Sequence, residues 1–572
     1  MKLFRIFCIL CVSVVNCFAL NREAFTFAKY DLEVRIEPGQ KRLAARGKIT
    51  LRNDSSAPQK NISLQISSTL DWRSIQLAGK PVQFLSQEYV SDIDHTGALT
   101  EAIVILPQEI PPKGTIELVV GYEGTIPQNA NRLTRIGVPA ETARHSDWDQ
   151  ISDSFTALRG AGHVAWYPVA MESANLSDGN SLFETLGRWK ARQANSEMKL
   201  RVSLLNDDEG QPTEIVSTAT DCKVLSETSV HSGLKTVDCS YTNLGLVAPL
   251  ILAADYAVLD QPASTVHYLS EHKAAAQNYA QAAEAAKPFI AEWFGDPRGK
   301  IVIAELPDKD AAPFESGNLL LTPLGPMDAK SAEMIVVHQL THAALASPRP
   351  WIDEGLAHFA QAVYRERQRD RQSALDFMRL HNSAIVDAEK SLASQPNRNL
   401  ADDSLINTSR EEFYRSKAMY VWWMLHDMLG DEKLKKVIAA YRAGRDEDAS
   451  TIQRLVAQET HRDMEWFFDD WVYRDRGLPD FRIESVYPRQ MLQGGYMVTV
   501  TVENLGGAGA EVPVTVKFAD GDETKRLEVR AKTKSSIRIE VPTFPAEVVV
   551  NDGSVPESDT NNNVFKVEAQ PK

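Results

Sequence analysis

Two histidines, His338 and His342, stand four residues apart in the run MIVVHQLTHAALASPRPWIDEGLAHF. In a helix that spacing puts both side chains on one face, one turn above the other. Two neutral imidazole nitrogens so placed reach a single zinc ion at about 2.0–2.1 Å. Pro348 and Pro350 then break the helix, because proline cannot continue its hydrogen-bond ladder. A second helix is expected from about Trp351, with Glu354 in its first turn, where the carboxylate swings back as a third ligand. Gly355 is expected to let this helix approach the first closely. His358, four residues beyond Glu354, is a competing ligand, or else a histidine that only packs nearby or faces solvent. Two histidines and one carboxylate leave a fourth position for water or substrate, the pattern of a catalytic rather than a structural zinc site. With 12 histidines in 572 residues, a four-apart pair by itself carries little. The pair followed by a proline break and EGLAHF carries the reading.

A scaffold has to bring these residues together. From about 25 to 122, segments such as YDLEVRIEP, LAARGKITLRN and GTIELVVGYEG alternate apolar and polar residues with period two, separated by Pro, Gly, Asn and Asp turns. A second β-rich stretch is expected over about 198–259. Between the two lies an irregular segment containing AWYP and one helical run near 181–193. From about Ser264 the period becomes helical, beginning with EHKAAAQNYAQAAEAAKPFIAEWFG and interrupted by one strand, KIVIAELPD. Helices continue to about Arg476. After RGLPD the period returns to two, and GYMVTVTVENLG, EVPVTVKFADG and SSIRIEVPTFP read as β-sandwich strands. The fold class is therefore multidomain α+β. The layout is a signal peptide at 1–20, a β-rich N-terminal sandwich or saddle domain at 21–260, a helical domain with the histidines at 261–479, and an Ig-like β-sandwich at 480–572. That agrees with the roughly three to five domains a chain of this length suggests.

Composition narrows the function classes. The chain is 43% hydrophobic and 24% charged, with a net charge of −15. A chain this acidic is poorly suited to wrapping nucleic acid or coating an anionic membrane, because both need clustered Lys and Arg. Residues 1–20 carry a short basic start, an apolar run too short to span a bilayer, and Ala19 as a cleavage point. Export follows, to a periplasm or the medium, and no membrane span is expected once the signal is gone. Of the five cysteines, Cys8, Cys11 and Cys17 lie in the signal. Cys222 and Cys239 remain, and an even pair in an oxidising compartment predicts one disulfide, two buried thiols being the alternative.

The motifs resemble the gluzincin metallopeptidases, in particular the aminopeptidase N family, over most of the chain. The β-rich start with WYP is similar to that family's substrate-anchoring domain. EWFGDPRGKIVIAELPD resembles the entry into its thermolysin-like catalytic domain. HQLTH stands where the family has HExxH, WIDEGLAHF where it has WLNEGFA, and FFDDWVYRDRGLPDF resembles the end of its helical region. The resemblance implies one zinc per chain held by His338, His342 and Glu354, and peptides or proteins as substrates.

Three departures matter. Only 11 residues separate His342 from Glu354, closer to shorter bacterial relatives. The exopeptidase motif GAMEN is absent; PFESGNLLL lies in its place, where Glu315 either holds a substrate's α-amine or is a solvated loop residue. Gln339 replaces the family's catalytic Glu, and an amide can orient a water without removing its proton. Loss of a general base costs about 10²–10⁴ in rate. Asp353 and Glu333 are the neighbouring alternatives as base. The family's oxyanion-stabilising Tyr is matched by Tyr414 in FYRSKAMYVWWML, one residue out of register, with Tyr420 or plain core packing as alternatives. Asp552, Glu557 and Asp559 near the C-terminus either bind calcium or form a polar turn. The expected function is an exported zinc metallopeptidase of reduced activity; its rivals are an inactive zinc-binding pseudo-peptidase and an adhesion protein. Replacing Gln339 by Glu is expected to restore activity.

Overall fold

The computed structural model describes residues 20–178, 181–205, 213–219, 221–226, 233–245, 247–297, 299–345, 347, 349–394, 400, 403–408, 410–444, 446 and 448–568. The expected signal, with Cys8, Cys11 and Cys17, lies outside the described residues apart from Leu20. The fold is mixed α+β, with six sheets and a block of helices among the described residues. No helix among the described residues is long and apolar enough to cross a membrane.

Period-two sequence produces the first sheet. Phe25–Glu37 alternates buried and exposed side chains and pairs antiparallel with Arg42–Asn53, which pairs in turn with Thr115–Thr125. Glu197–Leu205 then joins the other edge of Phe25–Glu37 in parallel, so both β-rich stretches of sequence build one eight-stranded sheet. A three-stranded sheet made of Gln59–Ser67, Phe84–Val90 and Ala98–Ile110 packs into the same core. The AWYP segment fills it: Trp166 is fully buried and donates to the Pro249 carbonyl at 3.2 Å, and Tyr30 donates to the Pro168 carbonyl. Cys222 and Cys239 form a disulfide between directly opposed strand positions, and the two-thiol alternative falls away.

The site is built on a five-stranded sheet and the helices after it. The strands are β1 (Ala257–Asp260), β2 (Ser264–Tyr268), β3 (Ile301–Glu305), β4 (Phe314–Ser316) and β5 (Leu319–Thr322), in spatial order β1-β2-β3-β5-β4. β2, β3 and β5 are parallel, and β4 turns back antiparallel on β5 to form one edge. The long alanine-rich α1 (Lys273–Phe294) makes the crossover from β2 to β3, as a parallel pair requires. Next come α2 (Ala329–Ala344), α3 (Pro350–Gln368) and α4 (Arg371–Ala393). Asp328 caps α2 by accepting from the Ser331 amide, Asp370 caps α4 through the Ser373 amide, and Pro350 opens α3 where its missing N–H costs nothing. A π-helical turn, Glu412–Lys417, then feeds α5 (Ala418–Leu429).

Gly355 serves a different neighbour from the one expected. A Cβ there would stand 2.7 Å from the Ala418 Cβ and 3.1 Å from the Trp422 ring, so the close approach is to α5 rather than α2. Stacking of Trp351 on Trp422, with ring centres 5.3 Å apart, fixes that contact.

The C-terminal strands form two facing sheets, one of Phe481–Gln490, Tyr496–Asn504 and Lys534–Val541 and one of four strands. Arg371 ties them to the helices by bridging Asp427 and Asp552, and Trp471 donates to the Gly509 carbonyl. Of the three acids considered for calcium, Asp552 is held by Arg371 and Ser554. Glu557 accepts from Phe481, Asn551 and Asn563, and Asp559 accepts from Asn561. They do not converge, and the polar-turn reading describes them.

Candidate metal centre

α2 is apolar along one side and buries it, leaving His338 and His342 inside the protein at 7% and 9% exposure. Their Nε2 atoms face each other 3.1 Å apart. Across the proline break, the first turn of α3 supplies Glu354, whose two carboxylate oxygens lie 3.7 Å from His338 Nε2 and 3.8 Å from His342 Nε2. The edge strand β4 supplies Glu315, with Oε1 3.3 Å from His338 Nε2. One ligand atom from each of Glu315, His338, His342 and Glu354 falls within 4.8 Å of all the others. Thus the three residues expected to bind metal are together, and so is Glu315.

The set fits a divalent cation on two grounds. Ligands about 2.0–2.1 Å from a tetrahedral ion stand about 3.4 Å apart, the scale of the separations seen here. Charge gives the second ground. Glu315, Glu354 and Asp353 gather around the two histidines, and Arg415, which contacts Glu315 and Glu354, also pairs with Glu411; with Lys190 as the other nearby cation, carboxylates outnumber fixed positive charges. Without a cation, protons take its place. Burial opposes charge on His342, yet Asp353, Glu354 and Glu315 outweigh it and push the imidazole up to about 10. Burial likewise opposes charge on Glu315, and His338 with its neighbours overcomes this and holds that carboxyl well below the usual range.

Asp353 has a supporting task. It lies 3.3 Å from His342 Nδ1, which directs the other ring nitrogen at the cluster, the usual partner of a metal-bound histidine. Its second oxygen accepts from the Ser347 amide at 3.1 Å. Glu333 instead accepts from Tyr364 at 2.7 Å. Each of the two alternative bases is thus engaged elsewhere.

Gln339 is 1% exposed, and its Nε2 donates to the Gly317 carbonyl at 2.7 Å, in the turn that joins β4 to β5. Its Oε1 is buried without a hydrogen-bond partner. The side chain that stands at the catalytic position of the resembled family therefore clamps the edge strand.

Tyr414 packs on the helical core, and burial pushes its phenol up to about 12. Its neighbour Arg415 makes the contacts to the cluster: Nε donates to Glu354 at 3.1 Å, Nη2 reaches Glu315 at 3.4 Å, and Nη1 binds Glu411. The one-residue mismatch noted in the sequence coincides with the π-helical turn, which holds an extra residue per turn. Arg415 went unnoticed in the sequence; the signal was a basic residue four after Glu411 and next to an apolar helical run. His358 packs edge-on against His338 with ring centres 4.8 Å apart, has neither nitrogen hydrogen-bonded among the described residues, and stays outside the four-residue group.

No protein-family model matches the chain, and no curated protein matches it in sequence. Solved structures do. The crystal structure of aminopeptidase A from Legionella pneumophila in complex with aspartic acid matches with a TM-score of 0.60 at 11% identity, covering 93% of this chain and 59% of that one. This chain shares the fold of that structure over most of its own length. It spans about three-fifths of the length of that aminopeptidase. An M1 zinc metallopeptidase variant from Deinococcus radiodurans matches at 16% identity with a TM-score of 0.46, covering 80% of this chain and 96% of that one. The same variant bound to a Tyr-Ser-Ala substrate matches at 18% identity with a TM-score of 0.48, over 81% and 97%.

Proposed function

We propose that this chain is an exported, zinc-binding protein of the aminopeptidase fold that holds peptide or protein ligands and hydrolyses them poorly or not at all. The observation that carries the reading is the hydrogen bond from Gln339 to Gly317: the residue at the base position cannot ionise, and its amide is spent on backbone. A zinc ion held by His338, His342 and Glu354 supplies Lewis acidity. Arg415 pairs with Glu354 and Glu315 and offsets part of their charge, and Asp353 orients His342. Peptide as the ligand class rests on the fold shared with the Legionella aminopeptidase. Export rests on the apolar N-terminus, and the disulfide is consistent with it.

Metal content and peptidase turnover of the purified mature protein, measured side by side, test the proposal. About one zinc per chain, saturable peptide binding and turnover at or near background are expected. Robust hydrolysis of a broad peptide panel would replace it with the peptidase reading; no metal and no peptide binding would leave only a scaffold role.

A further inference from the structure

The catalytic pattern read from the sequence leaves one metal position open, and the structure puts Glu315 beside it. The Glu315 carboxylate lies nearer His338 Nε2, at 3.3 Å, than does Glu354, at 3.7 Å. One oxygen of Glu315 falls within 4.8 Å of the ligand atoms of His338, His342 and Glu354, so it stands inside the same group as Glu354. The strand that carries Glu315 is held from several sides. Gln339 clamps the following turn through the Gly317 carbonyl, and Gly317 itself has φ +58. The Ser316 hydroxyl accepts from the Ala248 amide at 3.0 Å, and Phe314 packs edge-on against His163. Trp148 donates to the Ala312 carbonyl at 3.0 Å, just before the strand. Arg415 grips Glu315 and Glu354 together. These contacts fix the backbone that carries Glu315, and Arg415 holds its carboxylate on the side of the histidines.

We propose that Glu315 is a fourth protein ligand, so that the metal centre is closed and the ion fastens edge strand β4 to α2 and α3. A zinc ion with four protein ligands is a structural site, whereas a catalytic site keeps a position free. The proposal rests on the zinc reading above and changes its purpose. Gln339 fits the same design: the residue next to His338, it joins the same helix to the turn that follows the strand, and it reads as part of a staple rather than as a damaged base. An α-amine cannot use Glu315 while the metal does, so the amine of a bound peptide is held by other residues.

Cobalt substitution of the full mature chain tests this, because the visible spectrum of bound Co²⁺ reports its ligands. The unaltered protein should bind one Co²⁺ per chain, and acetohydroxamate, which needs a free position, should leave the spectrum unchanged at millimolar concentration. Glu315→Ala should still take up cobalt, with affinity reduced at least about tenfold, and its spectrum should now shift on adding acetohydroxamate. Stripping the metal with a chelator should lower the melting temperature of the unaltered protein by more than that of Glu315→Ala. A hydroxamate-induced shift in the unaltered protein as large as in Glu315→Ala overturns the fourth ligand while leaving the zinc reading intact. Absence of bound cobalt in the unaltered protein overturns both. Glu315→Gln, which keeps the volume, should behave as Glu315→Ala does; if it retains full affinity and an inert spectrum, the carboxylate is not a ligand.

Discussion

Gln339→Glu separates a lost base from a rebuilt site. From sequence alone the exchange adds the missing carboxylate at almost constant volume, and activity should rise by about 10²–10⁴. The structure changes that expectation. The Gln339 amide donates to the Gly317 carbonyl at 2.7 Å inside a pocket where the residue is 1% exposed. A carboxylate there has no proton to donate, leaves the carbonyl unpaired and sets two oxygens against each other. An unsatisfied buried acceptor costs about 1–3 kcal/mol, so the variant should lose that much stability. Its gain in peptidase turnover should stay below about tenfold, because Glu315 still fills the remaining position. The double variant Gln339→Glu/Glu315→Ala restores the base and opens the site together, and it alone should approach the general-base increment of about 10²–10⁴ over the unaltered protein. The assay is initial rate on aminoacyl and internally quenched peptide substrates with zinc saturating, alongside urea unfolding of each variant. A hundredfold gain in Gln339→Glu alone, with no loss of stability, would refute the reasoning.

Elemental analysis should find stoichiometric zinc lost in His338→Ala and in His342→Ala, and full zinc in both would disprove the ligand assignment. Asp353→Asn, which weakens the partner of His342 Nδ1, should lower metal affinity by about 10–100-fold in a competitive chelator titration, and an unchanged constant would remove its orienting role. The disulfide spans a sequence separation of 17, and Cys222→Ser with Cys239→Ser should cost about 3 kcal/mol in chemical unfolding; finding two free thiols in the denatured, unreduced protein would end that prediction. Burial pushes the Glu557 carboxyl up to about 7 in the C-terminal sandwich, against the pull of its three donors and with Asp480 adding to the rise. Its folded value lies above the unfolded one of about 4.3, so the folded state binds this proton more tightly. The associated stabilisation is complete below the unfolded value and is lost as pH rises through about 7. Glu557→Gln should flatten that decline in calorimetric scans between pH 5 and 7.5, and an equally steep decline in the variant would show that another group is responsible.

The sequence by itself determined those features that depend on local period and spacing. Alternation with period two makes Phe25–Glu37 and Tyr496–Asn504 strands, because successive side chains face opposite sides. A spacing of four puts His338 and His342 on one helical face, and Pro350 fixes the start of α3 and hence the turn that carries Glu354. An even pair of cysteines outside residues 1–20 pointed to the Cys222–Cys239 disulfide. What the tertiary structure decided are contacts between segments far apart in the chain, for which no local period exists. Glu197–Leu205 joins Phe25–Glu37 in one sheet although well over a hundred residues intervene. Gly355 answers to Ala418 rather than to α2. Arg415 enters the cluster at a π-helical turn that no spacing rule anticipates. Gln339 illustrates the division most plainly. Its identity announced that a base was missing, but only the fold brings the Gly317 carbonyl within reach of its amide and so shows what the residue does instead. A side chain's chemistry is written in its type, while the atom it meets is set by the packing of elements whose approach is fixed by burial across the whole chain.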